Sequence, residues 1–247
     1  SRNVFWLLLI YGISYWFIKT SIKPDIALAR RLIGSDWGGK FADWVLEDYG
    51  EHETEVIRLE KLSRKIAPVL AFVYSIGGSF LAWDFVMTLD QTWFSTLFGV
   101  FVMIGNMHAF LGLMLVVAVT VRQKFGIEEY ISINRLHDLA KMTFAFSLLW
   151  TYMGYSQYIV IWYADLPEET PYLIIRSMNA PWNTLFLVII LWVFVSVFLG
   201  LLPRTLCRMP NYIRLMGIWV MLGQLLSVYI MVVPSLQHDG HYHIFMG

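Results

Sequence analysis

Apolar positions in this chain gather into long runs separated by short polar or charged stretches. A helix that crosses a membrane needs about 20 mostly apolar residues. Residues 3–18, 66–89, 93–121, 139–164, 182–202 and 213–233 meet that need. The pattern predicts an all-α, polytopic transmembrane helical bundle with about six spans in this stretch. Pro203 and Pro234 are expected to stop the fifth and sixth helices, and Asn179 with Pro181 gives the fifth a cap-like start. The longest connection, residues 19–65, is charged. Within it Val56, Leu59, Leu62 and Ile66 recur at near-helical spacing among Glu, Arg and Lys. That spacing predicts an amphipathic helix lying on the membrane surface and feeding the second span. The organisation read from the pattern is a first span (1–18), this loop (19–65), a three-span core (66–164), an external loop with the last two spans (165–236) and a tail (237–247).

Composition sharpens the membrane reading. The chain is 58% hydrophobic and only 15% charged, against about a quarter charged in soluble domains. Its 11 Trp suit interfacial belts, where amphipathic rings settle at headgroup level. The formal net charge of +0 argues against nucleic acid as a partner. Cys207 is the only cysteine, which excludes an internal disulfide, a thiolate-held iron–sulfur cluster and a C-x-x-C-H haem site within this chain. The chain opens Ser1-Arg2-Asn3-Val4 with neither an initiator Met nor a small-residue cleavage site. A signal peptide is therefore a poor reading, and the natural protein is expected to start earlier.

Basic residues set the expected orientation. With six spans, all of the 18 Lys and Arg except Arg2 and Arg176 fall on one side. The positive-inside rule puts the 19–65 loop in the cytoplasm and the 164–181 loop and C-terminus outside.

Ionisable groups within spans are costly, so each one is a candidate for function. Asp84 lies about 9 Å inside the outer end of the second span, and His108 about 22 Å along the third, near its centre. Thr151, Tyr155 and Tyr158 recur at helical spacing on the fourth span with Gln157 beside them, and Asp138 and Lys141 mark that span's cytoplasmic start. Along the membrane normal these groups form a ladder: Lys141 and Asp138, then His108, then Tyr155, Gln157 and Asp84, then Asp90 at the outer surface. Protonatable groups bridged by hydroxyls and water are what a proton path uses. Each has a plainer alternative. Asp138 suits an N-cap, Asp90 an interfacial turn, Lys141 can snorkel, and tyrosines commonly serve as core or belt aromatics. A transmembrane b-type haem wants two facing His ligands, and His108 stands alone within a span, since His52 and His137 are in loops. The tail residues His238, His241 and His243 fit a contact with another subunit better than a metal site. No G-x-S-x-G, P-loop or HExxH motif occurs.

Two stretches carry a family resemblance. One is Ala82-Trp83-Asp84-Phe85-Val86-Met87-Thr88-Leu89-Asp90, continuing into Trp93-Phe94-Ser95-Thr96-Leu97-Phe98-Gly99. The other runs from His137-Asp138-Leu139 through Phe144-Ala145-Phe146-Ser147 and Ser156-Gln157-Tyr158 to Ile161-Trp162-Tyr163-Ala164-Asp165-Leu166-Pro167-Glu168-Glu169. Together they resemble the second large membrane subunit of alternative complex III, a bacterial quinol:cytochrome c oxidoreductase unrelated to the bc1 complex. That subunit type belongs with the polysulfide-reductase (NrfD-like) membrane proteins. The resemblance implies a multi-pass protein of the bacterial inner membrane, longer than six spans, that binds no cofactor alone. It implies quinol or menaquinol, c-type haems and iron–sulfur clusters in the complex. The expected partners are an NrfD-like sister subunit, c-type cytochrome subunits, an iron–sulfur subunit and the lipid bilayer. The implied role is scaffolding and proton conduction. Direct quinol binding and oxidation near Asp84 is the alternative, and a transporter or channel sharing the fold is a third reading. The last span of such proteins often carries a His and an Asp where this chain has Gln224 and Ser227, so a protonatable pair is expected to be missing there.

Overall fold

The computed structural model describes residues 2–34, 37–91 and 93–236, and all the regular structure among them is helical. The chain divides into two compact units, one up to Leu81 and one from Ala82 onward.

The first unit is built from α1 (Arg2–Ile33), α2 (Gly39–Val45) and most of α3 (His52–Phe85). α1 and α3 approach closely where Trp6 stacks on Phe80, with ring centroids 5.4 Å apart. Gly77 permits this, since a Cβ there would lie 2.8 Å from the Trp6 ring. Arg30 clasps the turn into α2 by donating to the Trp37 and Gly39 carbonyls and pairing with Asp43 at 2.6 Å. The amphipathic stretch and the second span form a single helix, with Pro68 inside it, so residues 53–65 are not the separate surface helix expected. The predicted stripe is nonetheless its inner face. Leu59 and Ile66 are buried and Val56 and Leu62 half-buried, while Glu60 and Arg64 pair at 2.6 Å on the exposed side.

The second unit contains a 3-10 turn (Met87–Leu89), α4 (Leu97–Phe125), α5 (Ile133–Ala164), the short α6 (Thr170–Ser177), α7 (Trp182–Ile189), a π-helical segment (Ile190–Ser196), α8 (Val197–Leu201), a second 3-10 turn (Leu206–Arg208) and α9 (Pro210–Leu236). α4 packs on both α5 and α9. Small residues permit the α4–α9 contact: a Cβ on Gly217 would lie 2.6 Å from the Gly112 carbonyl oxygen. Such close approach, rather than hydrophobic burial, is how helices associate in lipid. Leu115, Val119, Leu136, Ala140, Val197 and Val220 form one core cluster of this unit. Gly126, at φ +64°, ends α4, and Arg122 ties the following loop by donating to the Ile131 carbonyl at 2.9 Å. In the π segment the widened hydrogen-bond step perturbs the carbonyl ladder. Ser147 of α5 donates to the Val193 oxygen at 2.8 Å, and Trp192 and Trp219 stack beside it at 4.3 Å.

Among the described residues, five helices are long and apolar enough to cross a membrane: α1, α3 with its 3-10 extension, α4, the Trp182–Leu201 stretch and α9. α5 has 32 residues but is not among them. Thr151, Tyr152, Tyr155, Ser156, Gln157 and Tyr158 lower the hydropathy of its middle. Several expected boundaries change. Ser132 caps α5 by accepting from the Arg135 N–H, so Asp138 lies inside the helix and is not its cap. Pro234 lies inside α9, which runs on to Leu236, so it does not stop that helix. The residue before α7 is Pro181, with no side-chain cap, and Asn179 contributes its backbone carbonyl to Asn183. The expected external loop contains α6.

Candidate functional site

His108, at mid-α4, has no exposed surface, and its Nδ1 lies 2.8 Å from Gln224 Nε2 on α9. With the amide as donor, Nδ1 accepts and the ring proton sits on Nε2, which has no protein partner among the described residues. The single Ser227 hydroxyl proton lies between two acceptors of Gln224, with Oγ 2.8 Å from its carbonyl oxygen and 3.0 Å from Oε1. The last span, where a protonatable pair is expected to be missing, presents neutral groups instead, an amide and a hydroxyl, and these hold the imidazole in one tautomer. Gly105, one turn from His108, makes room for this layer. A Cβ there would meet Gln224 Oε1 at 3.1 Å and Trp150 Nε1 at 3.2 Å.

The rest of the ladder divides by the geometry of α5. Its buried seam runs through Leu136, Ala140, Thr143, Ser147, Trp150, Gln157 and Ile161, the three- and four-residue spacing of one helix face. Gln157 is therefore buried, and its Nε2 has no protein partner among the described residues. Tyr155, two positions and about 200° away, is 61% exposed. Asp138 and Lys141 pair with each other at 3.4 Å, with both side chains exposed. These three do not join an interior series with His108. Asp84 and Asp90 are half-buried at the start of the second unit, where the Asp84 carbonyl accepts from Thr88 Oγ1 at 2.7 Å.

Asp90 lies within electrostatic reach of a buried cation that the chemical reading of the sequence passed over. Arg176 on α6 is 4% exposed and runs along the end of α9. Its Nε donates to the Ile230 carbonyl at 3.0 Å, and its Nη2 to the Met231 carbonyl at 2.9 Å and to Ser235 Oγ at 2.6 Å. The guanidinium also lies 3.5 Å over the Tyr172 ring, which stacks on Trp93 at 3.7 Å. Burial pushes the Arg176 pKa down, and Tyr172 and Asp90 oppose that shift; burial raises the Tyr172 phenol, with Arg176 opposing. The arrangement follows from Pro234, which has no N–H to offer the Ile230 carbonyl four residues earlier. Arg176 supplies the missing donor. The sequence did hold a signal: an arginine in the apolar run Tyr172-Leu173-Ile174-Ile175, with a proline near the end of a span.

A cavity of about 520 Å³ opens between α4 and α9, bordered by Gly105, Asn106, Trp150, Gln224 and Ser227 among apolar side chains. No group of three or more His, Cys, Asp or Glu that could hold a metal occurs among the described residues. His238, His241 and His243 of the tail lie outside them. His52 bonds Tyr49 at 2.8 Å, and His137 is buried near the start of α5. The sequence matches no protein-family model and no curated protein.

Proposed function

We propose that this chain is an integral membrane subunit of a bacterial quinol:cytochrome c oxidoreductase of the alternative complex III type. It serves there as scaffold and as a proton-conducting element, while haems and iron–sulfur clusters belong to partner subunits. α5 counts as the sixth span of this stretch, because its polar residues Thr143, Ser147 and Gln157 are turned inward. Its exposed side carries Met142, Leu148, Leu149, Ile159 and Val160, with the amphipathic rings of Tyr152 and Tyr155 between them. That inside-out distribution suits lipid contact. The orientation is the one the basic residues imply, with the 19–65 loop cytoplasmic and the 164–181 loop and C-terminus periplasmic.

The observation that carries the reading is the buried His108–Gln224–Ser227 cluster at the centre of the α4–α9 contact, a titratable group kept deep inside a bundle of apolar helices. Supporting it, the two stretches that carry the family resemblance meet in one core cluster. There Ala82, Trp93 and Phe98 of the first pack with Ile161 of the second around Tyr172. The proton role rests on His108 and Asp84, with Gln157 along the seam, and not on Tyr155, Asp138 or Lys141.

Tagged and purified from its native membrane, the chain is expected to bring down c-type haem, detected as the pyridine haemochrome, together with iron–sulfur protein. A stable, solitary, haem-free protein would sink the assignment. Within the intact complex, Asp84→Asn is expected to lower proton translocation per electron without changing subunit composition. An unchanged ratio would remove Asp84 from the path.

A further inference from the structure

The cavity between α4 and α9 holds an unusual pairing of polar donors with an apolar entrance. Trp150 is 7% exposed, yet its indole N–H has no protein partner among the described residues. That N–H edge faces the notch left by Gly105, where an added Cβ would sit 3.2 Å from Nε1. Trp93 and Trp182 also have unpartnered N–H groups, but neither lines this cavity. Asn106 borders the same space from α4 as an exposed residue, and its amide has no hydrogen-bond partner among the described residues. It lies about 13 Å into an apolar helix that is long enough to span a membrane, where an unsatisfied amide is costly. The entrance is formed by the exposed side chains of Phe110, Leu113, Leu222, Leu225 and Val228. No charged residue among the described ones lines the cavity, and its volume of about 520 Å³ lies within the range of small-molecule sites.

We propose that this cavity binds a neutral, bilayer-borne molecule carrying a carbonyl oxygen at one end of a hydrocarbon chain. An indole N–H can only donate, so the atom it meets must be an acceptor. The uncharged lining excludes an anionic or cationic head, and the apolar entrance admits ligand from the hydrocarbon rather than from water. Gln224 Nε2 gives one of its two hydrogens to His108 and Ser227 is bonded to Gln224, so among the described residues lining the cavity the donors wholly without a partner are the Trp150 indole and the Asn106 amide. Two sources share this chemistry: the ester carbonyl of a glycerolipid and the ring carbonyl of a quinone. The inference does not depend on the respiratory assignment, since binding can be measured whatever subunits accompany the chain.

The test uses the protein purified with its native partners in nanodiscs and two probes, a diazirine-tagged decyl-benzoquinone and a diazirine-tagged phosphatidylethanolamine. Labelling is mapped by mass spectrometry to peptides covering residues 101–113 and 221–231. The expected result is saturable labelling by one probe, weakened about tenfold by Trp150→Phe, the worth of one buried hydrogen bond. Ala109→Leu, which fills the cavity without touching the donor, should weaken it as well. Saturation by the benzoquinone identifies a ring carbonyl, and saturation by the phospholipid an ester carbonyl; either supports the site. Non-saturable labelling by both probes, or saturable labelling unchanged in both variants with helical circular dichroism intact, overturns it.

Discussion

Arg176→Ala is expected to lower the stability of the protein by about 3 kcal/mol, the range for losing hydrogen bonds made by a buried charged group. Three backbone carbonyls, Tyr172, Ile230 and Met231, and the Ser235 hydroxyl lose a donor at once. The Ile230 carbonyl has no helical substitute, because position 234 is proline. Arg176→Lys should recover only part of the loss, since an ammonium keeps the charge but not the planar fork that spans four acceptors. The mechanism is separable from general packing. Pro234→Ala returns an N–H at position 234 that can bond to Ile230, so it should offset about 1 kcal/mol of the damage in the Arg176→Ala background. Thermal or denaturant unfolding of the four variants in nanodiscs gives the double-mutant cycle. Strict additivity would show that Arg176 is not standing in for the missing proline N–H.

That pair illustrates what was legible in the sequence and what was not. Length and apolarity located every long helix, because each apolar run must form its own hydrogen bonds within one helix. The ends were less legible. Pro234 was expected to terminate a helix, yet α9 passes through it because a side chain 58 positions earlier replaces the lost donor. Arg176 entered the sequence reading only as a charge to be counted by side. His108 stood out as the lone histidine within a span, but its partner could not be read, because Gln224 is 116 residues away and the rotation of each helix is set by packing. The ladder drawn by depth failed where rotation decides. Tyr155 and Gln157 lie at similar depth and face different ways. The π segment at Ile190–Ser196 leaves no mark in a uniformly apolar run and becomes visible only through Ser147 reaching the Val193 carbonyl. The cavity follows from an absence, the side chain missing at Gly105, which has meaning only once Trp150 and Gln224 are seen beside it.

Replacing Gly217 by Leu is expected to have the largest effect of any single change in the second unit, abolishing recovery of folded protein. A Cβ at Gly217 would lie 2.6 Å from the Gly112 carbonyl oxygen and 3.0 Å from a Val116 methyl. Backbone stands on both sides of that contact, and in return a Cβ on Gly112 would lie 2.9 Å from the Gly217 oxygen. No rotamer change relieves it, so the helices must separate. Even Gly217→Ala should cost about 1–3 kcal/mol through overpacking. Gly78→Ala in α3 is the control, because its Cβ meets nothing within 4 Å, and a helical Ala there should be neutral or stabilising by a few tenths of a kcal/mol. The consequence reaches chemistry. Gln224 is two helical turns beyond Gly217, and its 2.8 Å bond to His108 crosses the same contact. Widening the α4–α9 approach by even about 1 Å takes that pair beyond hydrogen-bond range. Gly217→Ala should therefore release His108 from its single tautomer, visible as exchange broadening of its ring signals by NMR with specifically labelled histidine. A Gly217→Ala protein as stable as the parent, with an unchanged His108 signal, would mean that this glycine contact does not hold the two helices together, and the fixed central histidine on which the proposed proton role depends would lose its structural basis.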